Sequence, residues 1–143
     1  LRRKKFIGAL LILTALLSFC VWAKGLSVKP STYFWRKVAV GKKVKMPIPL
    51  EIHNQSNSQR NYEVKVSSSN LPNANFITFS ENQFAIPAGK TKKVEVYLEF
   101  PKKEIYLGKN FEFYLEVREM AKKGERFALA CYPRILVKTQ DTF

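Results

Sequence analysis

One histidine, one aspartate and two cysteines stand in a chain of 143 residues, and each scarcity closes off a class of chemistry. With His53 as the sole imidazole, neither a multi-histidine metal centre nor a relay of two histidines can be assembled. The lone Asp141 leaves few ways to pair carboxylates, and no CxxC, HExxH or glycine-rich phosphate loop occurs. Of the cysteines only Cys131 lies beyond residue 23, so residues 24–143 cannot close an internal disulfide and must hold by packing alone. Only six glycines are present and no Gly-X-Y period, which excludes a collagen; 46% apolar and 13% aromatic residues exclude a disordered chain.

Charge of one sign is abundant, with 25 Lys and Arg against 11 Asp and Glu. Four of the cations, Arg2, Arg3, Lys4 and Lys5, precede an uncharged run at residues 6–23, the plan of an export signal. Val21 and Ala23 are small enough for peptidase subsites, so cleavage is expected after Ala23. The 18-residue run, about 27 Å as a helix, nearly matches a ~30 Å hydrocarbon core, and an uncleaved anchor is the alternative. A lipoprotein signal ending at Cys20 is disfavoured by Phe19, where a small residue is required. The expected division is a signal or anchor at residues 1–23 and one domain at 24–143. That domain keeps 21 basic residues against 11 acidic ones. Such an excess draws anionic neighbours, and export favours envelope glycans or lipid head groups over nucleic acid.

Beyond residue 24 the dominant period is two, with turn residues every eight to twelve positions. Val44, Met46, Ile48, Leu50 and Ile52 alternate with polar residues and prolines; Pro47 and Pro49 lack N–H donors and call for an edge or a bulge. Val94, Val96, Leu98 and Phe100 form the clearest strand, and Phe111, Phe113, Leu115 and Val117 another. The last strand is expected over residues 126–138, with Cys131 in step with Phe127 and Leu129 toward the core. The fold class is all-β: an immunoglobulin-like antiparallel sandwich of seven to eight strands, preceded by the signal or anchor helix.

Val28-Lys29-Pro30, the Gly41-Lys42-Lys43 turn, Ile52-His53-Asn54-Gln55-Ser56 and the run Ile86-Pro87-Ala88-Gly89-Lys90-Thr91 carry a family pattern. The chain resembles bacterial extracytoplasmic Ig-like modules of the NPCBM-associated and major-sperm-protein-like type. That resemblance implies a non-catalytic interaction or spacer module with no active residues to transfer. A pilus chaperone shares the sandwich and the compartment but uses a second sandwich domain.

His53 is expected on a polar strand face, and Glu112 and Glu116 on a solvated face opposite Lys or Arg. The candidate interaction surface is Tyr33, Trp35, Arg36 and Lys37. Three successive aromatics, Tyr33, Phe34 and Trp35, cannot all point inward at period two, and exposed aromatics beside cations suit a protein hot spot or sugar stacking. The alternative places Phe34 in the core with Tyr33 and Trp35 over a sheet edge. Two functions follow: a non-enzymatic envelope module, without cofactor or metal, that binds a protein partner by edge-strand pairing or around Trp35; or a basic module that grips anionic glycan or lipid. In either case the location is extracytoplasmic, with the membrane reached only through an uncleaved leader.

Overall fold

Period-two alternation becomes strand along about half of the described residues. The computed structural model describes residues 25–70, 73–125 and 128–143; the leader expected at residues 1–23 lies outside them. In chain order the strands are β1 (Leu26–Lys29), β2 (Thr32–Val38), β3 (Lys43–Lys45), β4 (Leu50–Asn54), β5 (Arg60–Val66) and β6 (Ile77–Phe79). They continue with β7 (Gln83–Ile86), β8 (Thr91–Val94), β9 (Val96–Glu99), β10 (Asn110–Glu119), β11 (Ala130–Cys131) and β12 (Arg134–Thr139). Three single-turn 3-10 segments, Ser68–Asn70, Asn73–Phe76 and Glu104–Tyr106, sit in the connections.

One layer of the sandwich is β1-β4-β8 running on into β3-β9-β6. The two parts meet where the Met46 N–H donates to the Val96 carbonyl at 2.8 Å. The other layer is β2-β12-β10-β5-β7, with β11 also on β10. The architecture is the expected Ig-like sandwich. Seven or eight strands were expected, and joining the three lengths broken at residues 46–49, Glu95 and residues 132–133 leaves nine runs. Pro47, Pro49 and Pro133 account for two of those breaks, because a proline offers no ladder donor. The first break turns Ile48 out of the apolar face to 41% exposure.

One pairing departs from antiparallel: β2 runs parallel to β12. The chain starts in the first layer as β1, crosses at the cis Lys29–Pro30 peptide and carries on in the same direction as the edge of the second. Between the layers lie Met46, Leu50, Ile52, Tyr62, Val64, Val94, Val96, Leu98, Phe100, Phe113, Leu115 and Val117, each at most 1% exposed. Each such side chain contributes roughly 1.5–3 kcal/mol by leaving water. Toward one end the core becomes aromatic, with Phe100 4.6 Å from Phe111 and 5.1 Å from Phe76 between ring centroids.

Asn54 secures the opposite end. Its buried amide donates to the Ile86 and Ser58 carbonyls at 2.9 and 2.8 Å, and its Oδ1 accepts from the Ser56 N–H at 2.9 Å. The loop after β4 and the turn after β7 are thereby tied by one side chain, which is why that position needs both a donor and an acceptor.

The last strand corrects one expectation. Strand pairing resumes only at Ala130, so no alternation links Leu129 to Cys131: Leu129 is exposed and Cys131 half-buried. Phe127 lies outside the described residues. The Cys131 thiol donates to the Leu26 carbonyl at 3.6 Å, and burial pushes its pKa up, away from thiolate chemistry.

Candidate interaction face on an edge strand

Strand β2 is the outermost strand of its layer and pairs with β12 alone among the described residues, leaving its other edge open. Tyr33 and Trp35 stand opposite Ile135 and Val137, which are core residues, so the odd positions of β2 face inward. Trp35 is therefore 8% exposed and Tyr33 half-buried, while Phe34 points out at 64%. This corrects the inward and outward parity: Trp35, expected on the interaction surface, belongs to the core, and Phe34 takes the exposed place.

Arg36 and Lys37 are both exposed, which a regular strand does not allow. The register explains it. Val137 pairs with Trp35 and Thr139 with Val38, so Arg36 and Lys37 together oppose Lys138 in a β-bulge. Lys37 takes φ 56°, the left-handed conformation that lets the chain absorb the extra residue. As a result Trp35 and Val38, three positions apart, both reach the core.

Phe34, Leu136 and Glu112 are direct cross-strand neighbours on β2, β12 and β10. They floor a groove of about 440 Å³ whose walls include Arg36, Asn110 and Lys138. The Glu112 carboxylate accepts from the Tyr114 hydroxyl at 2.7 Å and from Arg134 at 3.2 Å. The Tyr114 bond first, and the Arg134 bond after it, hold the Glu112 carboxyl below the usual carboxylate range and fix it as an anion. One end of the groove is thus acidic but paired, and the other carries the cations of the bulge.

Leu136 was not among the sequence candidates. Its signal was present: in Arg134, Leu136 and Lys138 it is the one apolar residue at an outward position. Glu116 sits against Lys65 and Arg118 as expected, but it is buried at 7% exposure rather than on a solvated face, because those two side chains cover it. His53 Nδ1 lies 2.9 Å from the Thr91 hydroxyl on the outer side of β4, where it joins two strands. No group of three His, Cys, Asp or Glu side chains among the described residues is placed to hold a metal ion, and among them no helix is long and apolar enough to cross a membrane.

These features define an Ig-like sandwich with an open edge strand. Residues 49–128 match the family described as "IG-like fold at C-terminal of FixG, putative oxidoreductase", and the chain belongs to that family. The description attaches the redox role to FixG and the Ig-like fold to its C-terminal part. The expected Ig-like module is thereby shown, and the NPCBM-associated type within it is not confirmed. No curated protein matches the sequence. Among solved structures, the PapD-like domain 7 of human CEP192 superposes with a TM-score of 0.62 at 8% identity, over 84% of this chain and 88% of that one. The periplasmic chaperone SfaE gives 0.62 at 12% identity over 81% of this chain, and the E. coli chaperone DraB 0.60 at 7% over 83%. This chain spans only 58% and 57% of those two chaperones. At such identities the likeness is one of fold.

Proposed function

We propose that the chain is a non-catalytic, extracytoplasmic Ig-like module that binds another protein by adding a strand to the open edge of β2, with Phe34 as the anchoring side chain. One observation carries the reading: an aromatic ring left 64% exposed on an edge strand, with Leu136 beside it in the floor of a groove. Backbone groups on an open edge supply affinity, and a side-chain pocket supplies choice. A large aromatic in such a pocket is the residue type that dominates binding energy. Two further findings support the reading: the similarity in fold to periplasmic chaperones, and a solved structure of the same fold in which the SafB chaperone is in complex with the SafA pilin of Salmonella enterica.

The test places a photo-reactive amino acid at position 34, and in a second variant at position 83 on β7, the opposite edge of the layer. In isolated envelopes, a discrete crosslinked protein from position 34 that persists at about 0.5 M salt, where exposed charges are screened, is the expected result. Equal products from both edges, or none from position 34, would sink the proposal.

A further inference from the structure

The end of the sandwich remote from Gly25 collects cations without counterions. Gly25 enters beside the Asn54 end, where its carbonyl accepts from the Gln55 N–H at 2.9 Å. At the other end three backbone bonds draw the loops together: Gly41 N–H to the Phe100 carbonyl at 2.9 Å, Gln140 N–H to Val38 at 2.9 Å, and Gly108 N–H to Gln140 at 2.8 Å. Gly41 approaches so closely that a Cβ on it would fall 2.8 Å from the Lys102 Cβ. These loops carry Lys37, Lys42, Lys102, Lys103 and Lys109, all exposed. None of the five has an ion pair among the described residues, which is also true of Lys29, Lys90, Lys122 and Lys123, whereas Lys45, Arg60, Lys65, Lys92, Lys93, Arg118 and Arg134 each have one. Glu104 and Asp141 are the exposed acids of the same loops and do not balance the five lysines.

A second feature separates this end from an ordinary solubilising surface. Ile105 is 65% exposed and Phe143 57%, both in the same loops as the lysines, and the Lys102 ammonium lies 5.8 Å from the Phe143 ring centroid. Ile105 is presented by an anchored turn. Its neighbour Tyr106 packs 5.4 Å from Phe76 and 5.8 Å from Phe100, in the aromatic part of the core, which holds the turn down while Ile105 faces water. Exposed lysines and exposed apolar side chains on the same loops match an interface whose outer layer is anionic and whose next layer is hydrocarbon. A hydrated acidic polymer would satisfy the lysines and leave both apolar side chains wet.

We propose that this end docks on a lipid bilayer surface rich in anionic head groups. The lysines meet the head-group phosphates, and Ile105 and Phe143 sink to the acyl boundary. The surface adjoins the Phe34 groove at the bulge, where Lys37 belongs to the one and Arg36 lines the other, and positions 105 and 143 test it without involving position 34.

The test uses the full chain with a photo-reactive residue at 105 or at 143, and at 129 near the opposite end as a control. Vesicles are phosphatidylcholine alone or with about 30% phosphatidylglycerol. Because residues 6–23 are themselves apolar, the reading is which position labels lipid, not whether the protein sediments. Lipid labelling from 105 and 143 in the anionic vesicles only, lost as salt rises, is expected. Replacing Lys42, Lys102 and Lys103 by Gln should lower the anionic-dependent labelling about a hundredfold, near fivefold per lysine, with the far-UV circular dichroism spectrum unchanged. Equal labelling from 129, equal labelling with phosphatidylcholine alone, or no labelling would overturn the proposal. So would tight binding of inorganic polyphosphate with no lipid labelled from 105 or 143, which would assign these lysines to a soluble polyanion.

Discussion

Exchanging Phe34 and Trp35 for alanine, one at a time, separates the interaction face from the core more sharply than any binding assay alone. Trp35 is 8% exposed and lies in a core shared with Ile135 and Val137, so Trp35→Ala removes a large buried ring and leaves a cavity. Such truncations cost about 3–5 kcal/mol, about a fifth or more of the roughly 5–15 kcal/mol that holds a domain together. For a domain of this size that corresponds to a fall in Tm of roughly 10–20 °C. Phe34→Ala removes a ring that is 64% exposed, and its effect on stability should stay within about 0.5 kcal/mol. The order reverses for binding: with the photo-reactive residue moved to position 36, which is also exposed on β2, Phe34→Ala should abolish the β2-edge crosslink while the domain stays folded. Urea denaturation followed by far-UV circular dichroism, with unchanged m values, measures the first half. A Phe34→Ala cost above about 2 kcal/mol, or a Trp35→Ala cost below about 1, would refute the parity, because a one-residue slip in β2 exchanges the two faces.

Asn54→Ala should cost about 2–4 kcal/mol in the same urea assay, since it strands the Ile86 carbonyl and frees the loop after β4. Tyr62 is fully buried, and its hydroxyl has no hydrogen-bond partner among the described residues. Tyr62→Phe should therefore raise stability by about 1 kcal/mol at neutral pH. Burial pushes the Tyr62 pKa up to about 12. Below pH 10 both states keep the proton; between about 10 and 12 only the unfolded chain loses it, so stability falls with rising pH by about 2–3 kcal/mol, a loss that Tyr62→Phe should not show in pH titrations of unfolding. Lys37→Gly should leave stability unchanged or raise it by up to about 1 kcal/mol, and Lys37→Val should lower it by about 1–2, because a β-branched side chain fits φ 56° poorly.

What alternation could place, it placed. Val94, Val96, Leu98 and Phe100 read as one buried face and are one; the two prolines near residue 48 announced an interruption, and the strand breaks there. The bulge was not legible, because nothing in Arg36-Lys37 marks a left-handed residue: glycine or asparagine would have, and lysine does not. The parity of three successive aromatics was open for a related reason. Tyr33-Phe34-Trp35 offers apolar residues to both faces, and only the partners Ile135 and Val137, a hundred positions on, decide which face is the core. The basic excess was plain in composition, but the gathering of Lys37, Lys42, Lys102, Lys103 and Lys109 at one end depends on loops that are far apart in sequence and joined by backbone bonds at Gly41, Gly108 and Gln140.

The layer has two open edges, and their chemistry differs in a way that favours β2. At the other edge, β7 is four residues long; the Lys92 ammonium lies 5.8 Å from the ring centroid of its Phe84 and pairs with Glu81 at 3.0 Å, so charge already covers the apolar side chain there. Short edges and charges near them are how sheets avoid unwanted pairing. On β2 the same protection is confined to the second half, where Arg36, Lys37 and the bulge interrupt the ladder. Thr32 to Trp35 remain regular, with Phe34 at their centre. On the proposed reading a partner strand would pair along that first half and stop at the bulge, so the feature that buries both Trp35 and Val38 would also set the length and register of the bound strand. Beyond the bulge the chain enters the loops that carry the unpaired lysines, so the proposed strand site and the proposed anion surface meet within a few residues of one edge.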